Sequence, residues 1–419
     1  MGEIDIIPEN DERSKKNITA LLLVLLLPFL AISLNHDGFL SLLSFVREDF
    51  DLTLTQVSYY STFYFIGGAV LAVLAGGMVD RAGPKRSILI GLGCMGLAVF
   101  TYGLAPSYAL LLLPAIISGA SFSLINSGIN KSVVTLIPPA RRAVSLGMIH
   151  SGIGIGGFAS ASLLPFLASQ VGWRVTMQGA AILALIVGTV IFLTFDDGHH
   201  SRFDERTFPL RELFGVASEL LRDFRIMRVN AISGLLAGTG FAVVAHYVVF
   251  LTTDLDIDPQ TAGLCLGIMH IGGLFGRPVW GRISDTVFRG DRTKALISVG
   301  TIMGGMYIAI GSAIYYPFVS TIVLYGVSLL LGLSVLSWFS MAYIAAGELA
   351  GSERTGISTG LILLVTRLGM LLGPLLFGIL ADLTGGYRAS WLVFGAVIVA
   401  VTALLGVWGR DDLSSAPDH

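Results

Sequence analysis

ITALLLVLLLPFLAISLNHDGFLSLL, residues 18–43, decides the class of this chain. From Ile18 to Leu34 the run carries no charge. A helix of about 20 such residues crosses the roughly 30 Å hydrocarbon layer of a bilayer. The run is too long for a signal-peptide core, and no small-residue cleavage site follows it, so it reads as a retained first span. Asn35-His36-Asp37-Gly38 then falls in its outer half. Ionisable groups at membrane depth are costly and mark function.

Eleven similar runs follow. The expected spans are 17–43, 54–79, 87–105, 108–136, 143–170, 174–195, 227–253, 259–284, 293–315, 318–349, 354–382 and 386–409. This predicts a polar tail (1–16), a first six-span unit (17–195), a linker (196–226), a second six-span unit (227–409) and a tail (410–419). Within the linker, Leu210–Phe224 reads as an amphipathic helix on the membrane face, and His199 and His200 sit in a solvated stretch. Backbone in lipid must satisfy itself, so the expected fold is an all-α membrane protein: twelve transmembrane helices in two pseudo-symmetric six-helix bundles around a central cavity.

Composition agrees. The chain is 54% hydrophobic and 13% charged, against about 25% charged in soluble domains. A net charge of −2 offers no basic surface to nucleic acid. Cys94 and Cys265 lie in separate spans and imply neither a disulfide nor a metal site. Two Gly-x-Gly-x-x-Gly matches, at Gly91 and Gly152, lie in apolar helices, not in the strand–turn–helix setting a dinucleotide needs. There is no Walker loop, no HExxH and no nucleophile–base set, so no enzyme, cofactor or metal is expected. Of the 26 Lys and Arg, only Arg47, Arg174 and Arg388 fall in loops on the side away from the termini, and only Lys131, Arg277 and Arg367 inside spans. That bias predicts a multi-pass cell (inner) membrane protein with both termini cytoplasmic.

The halves repeat. Gly76-Gly-Met-Val-Asp80-Arg81-Ala-Gly83-Pro84-Lys85-Arg86 follows span two, and Gly281-Arg282-Ile-Ser-Asp285 follows span eight. Gly172-Trp173-Arg174 precedes span six, and Gly386-Tyr387-Arg388 precedes span twelve. Repeated halves with a site between them are typical of secondary transporters. The first loop resembles the Gly-x-x-x-Asp-Arg-x-Gly-x-Lys/Arg-Lys/Arg signature of the major facilitator superfamily, and with the twelve spans the resemblance covers nearly the whole chain. It implies alternating access, with Gly76, Asp80, Arg81, Gly83, Lys85, Arg86 and Asp285 as a conformational latch. Asp80 would meet the positive start of a neighbouring helix, and Gly76 and Gly83 would permit close approach and a tight turn. The second copy lacks an Arg directly after Asp285, so its latch is expected to be weaker.

Arg277 in span eight and Arg367 in span eleven cannot easily reach water. An arginine near the bilayer centre costs roughly 2.5–3.5 kcal/mol on insertion scales. Its planar fork binds carboxylates through two charge-assisted bonds. Gly276-Arg277-Pro278 also resembles oxalate/formate exchangers and monocarboxylate transporters, which implies a carboxylate on Arg277. Where monocarboxylate transporters often carry Asp, four residues earlier, this chain has Gly273, so their proton arrangement does not carry over.

His270 lies two turns before Arg277 and extends the candidate site. Asp37 and His36 are the candidate proton-coupling pair. Tyr60, Tyr64, Asn126 and Trp338 are candidate cavity residues, whereas His150 and His246 read as structural, and Lys131 snorkels toward the cytoplasmic end of span four. The expected function is secondary transport of a small organic anion, a mono- or dicarboxylate, coupled to protons or to anion exchange, by a monomer whose other partners are protons and membrane lipid. Proton-driven efflux of drugs or metabolites is the rival within transporters. A non-transporting membrane receptor is the rival outside them.

Overall fold

The computed structural model describes residues 10–196, 222–313, 320–350 and 355–411. The first half is built from α1 (Asn10–Ser41), α2 (Leu43–Phe50), α3 (Leu54–Ala82), α4 (Pro84–Tyr102), α5 (Tyr108–Leu136), α6 (Pro139–Val171) and α7 (Trp173–Thr194). The second is built from α8 (Phe224–Thr253), α9 (Pro259–Thr286), α10 (Arg292–Ala313), α11 (Thr321–Val335), α12 (Phe339–Ala350), α13 (Thr355–Thr384) and α14 (Arg388–Asp411). The proposed amphipathic helix at 210–224 lies, but for its last residues, outside the described residues, as do His199 and His200.

Among the described residues, ten stretches are long and apolar enough to cross a membrane, and bent α3 makes an eleventh when counted as one span. The remaining expected span is α4, whose first turn is spent on Pro84, Lys85 and Arg86. Two expected spans are interrupted. Span one ends at Ser41 and continues as the short α2, and span ten breaks between Val335 and Phe339. α1 begins at Asn10, and its apolar stretch begins at Ile18.

The two halves pack in the same pattern. In the first, α1 lies on α6, α3 on α5 and α4 on α7; in the second, α8 lies on α13, α9 on α11 and α10 on α14. Glycine supplies the same close approach in both. A Cβ at Gly119 of α5 would fall 1.8 Å from Tyr64 O of α3, and one at Gly332 of α11 would fall 1.9 Å from Met269 O of α9. Small residues let membrane helices touch backbone to backbone, where dispersion and not water exclusion drives packing. The repeated Gly-aromatic-Arg turns are also matched. Asp49 accepts from Trp173 Nε1 and pairs with Arg174, while Asp254 accepts the Tyr387 N–H at 2.8 Å.

The halves meet along two seams, α3 with α13 and α6 with α9. The repeat exchanges these seams, since α3 corresponds to α9 and α6 to α13. Along both, the hydrogen bonds and close approaches cluster at the end of the molecule away from the chain termini. Asp382 at the end of α13 accepts the Leu54 and Thr55 N–H groups, at 2.8 and 2.7 Å. The start of α3 is also held by its own capping box of Thr53 and Gln56. Gln260 of α9 donates to Ser169 of α6 at 3.1 Å.

Candidate functional site

Between the seams, the ionisable groups of the membrane interior converge. Asp37 is 6% exposed on α1. Its Oδ2 contacts the Ser33 hydroxyl one turn earlier, and that hydroxyl also lies 2.7 Å from Ile153 O of α6. A serine has one hydrogen for these two acceptors. That single hydrogen is shared between the Asp37 carboxyl and Ile153 O. The other carboxylate oxygen points across the interface to His270 Nε2 of α9, at 3.9 Å. That is beyond hydrogen-bond length and leaves room for a water or a rearrangement.

The surroundings of Asp37 hold several unsatisfied buried atoms. His270 Nε2, His36 Nε2 and Asn35 Oδ1 make no hydrogen bond. Buried polar atoms are ordinarily paired, so the two unpaired imidazole nitrogens near Asp37 need an explanation, whereas Asn35, two residues away, lies on another face of α1. His270 fits only because α6 has a glycine opposite, since a Cβ at Gly157 would lie 2.5 Å from His270 Nδ1. His36 stacks on the Tyr64 ring at 3.9 Å, and its Nδ1 lies 3.4 Å from the Tyr60 hydroxyl. Tyr60 and Tyr64 are therefore buried supports behind His36, and neither borders open space, contrary to the sequence expectation.

The two arginines flank this core. Arg277, seven residues after His270 on α9, donates from Nε to Leu336 O at 3.4 Å. The acceptor exists because span ten breaks there. Trp280 Nε1 donates to Leu333 O at 2.8 Å beside the same break. Carbonyls freed in a broken membrane helix need such partners. Gly276 admits the break closely, for a Cβ there would meet Ser337 Oγ at 2.0 Å. His150 of α6, read from sequence as structural, lies within electrostatic reach of Arg277.

Arg367 of α13 lies across the other seam. Its guanidinium carbon sits 5.1 Å above the Phe122 ring of α5, and a Cβ at Gly68 of α3 would be 3.0 Å from its Nη1. Tyr64 and Tyr343 are near enough to act on it electrostatically. Among the described residues, no carboxylate lies within 4.0 Å of either guanidinium.

Trp338 does not line a cavity. It is fully buried, donates to Val335 O at 3.0 Å and stacks on Phe339, so its role is to pack the break in span ten. Asn126 is half-buried on α5 and makes no hydrogen bond. Sequence reading missed Ser33, Phe122 and Tyr343. The spacing of Ser33 and Asp37, four residues apart on one helix, was a readable signal. Phe122 was not readable, because its partner Arg367 comes from the opposite half, and Tyr343 was not, because it meets Arg367 only once α12 packs on α13.

At the terminal end, Gly83 adopts φ 84° between α3 and α4 and supplies the expected tight turn. Asp80 pairs with Lys131 of α5 at 3.1 Å, inside its own half, and Asp285 pairs with Arg292. Lys85 lies over the Phe192 ring at 5.6 Å. Arg81 is exposed. A Cβ at Gly76 or Gly281 would meet nothing within 4 Å. The close approach expected at Gly76 is thus not made in this conformation, and the carboxylate that meets a helix start across the halves is Asp382, not Asp80.

Comparison with known proteins places these observations. The family model described as the Major Facilitator Superfamily matches residues 21–369 and 231–418. The hexuronate transporter of Bacillus subtilis (strain 168) is 22% identical over 374 residues, 85% of this chain and 86% of that protein. Monocarboxylate transporter 13 of Bos taurus is 25% identical over 335 residues, 78% of this chain and 74% of that protein. Among solved structures, a bacterial homologue of the human lysosomal transporter Spinster, in an inward-facing and unoccupied conformation, superposes with a TM-score of 0.80 at 15% identity, covering 96% of this chain and 99% of that one.

Proposed function

This chain belongs to the major facilitator superfamily and is a membrane transporter, not an enzyme; on that premise we propose that it carries a small organic anion, with proton coupling at Asp37. The observation that carries the reading is the pair of guanidinium groups between the halves with no carboxylate partner. A cation taken out of water without a counter-ion is costly unless one arrives. With Asp37 ionised, two arginines against one carboxylate leave one uncompensated positive charge. A monoanion neutralises it. The relatives include hexuronate and monocarboxylate transporters, whose named cargoes bear the carboxylate that arginine binds through paired bonds.

The Lys and Arg distribution supports termini in the cytoplasm. In that orientation the joined end faces outward and the latch end inward, so this conformation is closed to the outside. Asp37 has a partner in each half: His270 across the interface and Ser33 at home. A proton on Asp37 favours Ser33 and removes the attraction to His270, while an ionised Asp37 favours His270. Anion and proton together would then bias which seam is closed, because each interacts differently with the two states. The same orientation makes the Asp80 and Asp285 loops a latch that closes when the inner ends meet.

Uptake into proteoliposomes tests this. Arg277→Ala should lower carboxylate uptake by at least about thirtyfold, the scale of leaving a charge without its partner, while the purified variant keeps its thermal unfolding profile. Undiminished uptake by that variant removes the anion assignment. The aromatic rings near Arg367 favour one other reading, proton-driven efflux of amphipathic compounds. Loss of drug tolerance on deletion, with growth on carboxylates intact, decides for it.

A further inference from the structure

Around Arg367 the two halves contribute a set of aromatic rings that the anion reading does not by itself require. Phe65 of α3 meets Phe241 of α8 edge-on at 5.2 Å, across the halves. Phe241 meets Phe339 of α12 at 6.4 Å, and Phe339 is stacked with Tyr343 at 6.4 Å. Tyr64 lies 6.5 Å from Phe122, the ring beneath Arg367. These rings differ from the aromatic core around Phe39 and Tyr102. Those two side chains are fully buried, whereas Phe122, Phe241, Phe339 and Tyr343 each keep part of their surface open.

Two hydroxyls beside Arg367 donate to the main chain. Ser123 donates to Gly68 O at 2.7 Å, and Thr366 donates to Ile362 O at 2.7 Å. A cargo rich in hydroxyls would meet groups whose hydrogens are committed to the main chain. A site with few polar anchors and several half-open rings suits a ligand of the same make-up.

The guanidinium geometry narrows this further. Phe122 covers one face of Arg367, an arrangement stabilised by attraction between the cation and the ring. A guanidinium offers its edge to a carboxylate and its faces to flat apolar bodies. We propose, resting on the anion reading above, that the cargo is an aromatic monocarboxylate. Its carboxylate lies on the edge of Arg367, and its ring lies among Phe241, Phe339 and Tyr343. The lone positive charge of the cluster matches one carboxylate, and the rings match the rest of the molecule.

Calorimetric titration of the purified full chain in lipid nanodiscs tests this with four probes: benzoate, acetate, glucuronate and nitrate. Benzoate should bind at least tenfold more tightly than the other three. Arg367→Ala should weaken benzoate by at least about thirtyfold. Phe241→Ala and Phe339→Ala should each weaken it about three- to tenfold, the scale of one aromatic contact, and leave acetate unchanged. Phe241→Tyr keeps the ring and should retain benzoate binding, which separates a lost contact from a damaged fold. Glucuronate, acetate or nitrate binding as tightly as benzoate, and failing with Arg277→Ala or Arg367→Ala, overturns the aromatic assignment and leaves the anion reading intact. Benzoate binding indifferent to both arginines overturns the placement. No anion sensitive to either arginine overturns both.

Discussion

The two ends of the inter-bundle seams are built from the same four helices and behave in opposite ways. At the end away from the termini, glycines serve as contact points. A Cβ at Gly378 of α13 would lie 2.5 Å from Ser58 Oγ and 2.6 Å from Leu54 O of α3, and one at Gly263 of α9 would lie 2.5 Å from Ala161 O of α6. Ser58 donates to Pro374 O at 2.8 Å and lies 2.9 Å from His246 Nε2, while His246 Nδ1 lies 2.8 Å from the Tyr387 hydroxyl. At the terminal end, Gly76 and Gly77 of α3, Gly147 of α6, Gly281 of α9 and Gly360 of α13 have nothing within 4 Å of an added Cβ. Ion pairs there join helices of one half, as Asp80 with Lys131 and Arg292 with Asp285. The difference teaches that a latch written in sequence and a latch engaged in a structure are separate things. This conformation is held by the end that carries no signature.

The sharpest way to break the comparison is a wedge. Gly378→Val should force the tight seam apart at a cost of about 1–3 kcal/mol, shifting the population toward the opposite state by roughly five- to 150-fold. Spin-label distances between the distal ends of α3 and α13 should lengthen. The same substitution at Gly281 meets open space here and should leave those distances unchanged. Equal effects at both sites would erase the distinction between the ends.

Asp382→Asn comes next. It keeps the shape but replaces a carboxylate that accepts two N–H groups at a helix start, a contribution of about 0.5–2 kcal/mol. Labelling of a cysteine placed at the distal seam should rise about two- to thirtyfold. The smallest effect on this state is expected from Asp80→Asn. Its pair with Lys131 is half-exposed, and such pairs contribute about 0–1 kcal/mol. The distal distances should stay, while the transport rate falls because the opposite state loses its latch. An Asp80 variant that widened the distal seam, or one that transported at full rate, would remove Asp80 from that role.

Much of this was legible in the chain itself. The run 108–136 became α5 with the same bounds, and most other spans moved by a few residues, because apolar length over a bilayer is a local property. Arg277, Arg367, Asp37 and His270 stood out as ionisable groups in apolar surroundings, a contrast that needs no partner to be seen. The break after Val335 was not legible. No proline or glycine marks it, and it is held by Trp338 packing on Phe339 and by donors from α9. Phe122 beneath Arg367 and Gly157 opposite His270 were likewise invisible, since each pair joins residues more than a hundred positions apart.

The sequence by itself determined where the apolar stretches lie, the duplication of the halves and the presence of costly charges among apolar side chains. Those follow from hydropathy, which is additive along the chain. Which charges come together, which rings surround them and which end of the seams is joined were decided only by tertiary structure. They depend on contacts between residues far apart in the chain, which hydropathy along the chain does not encode.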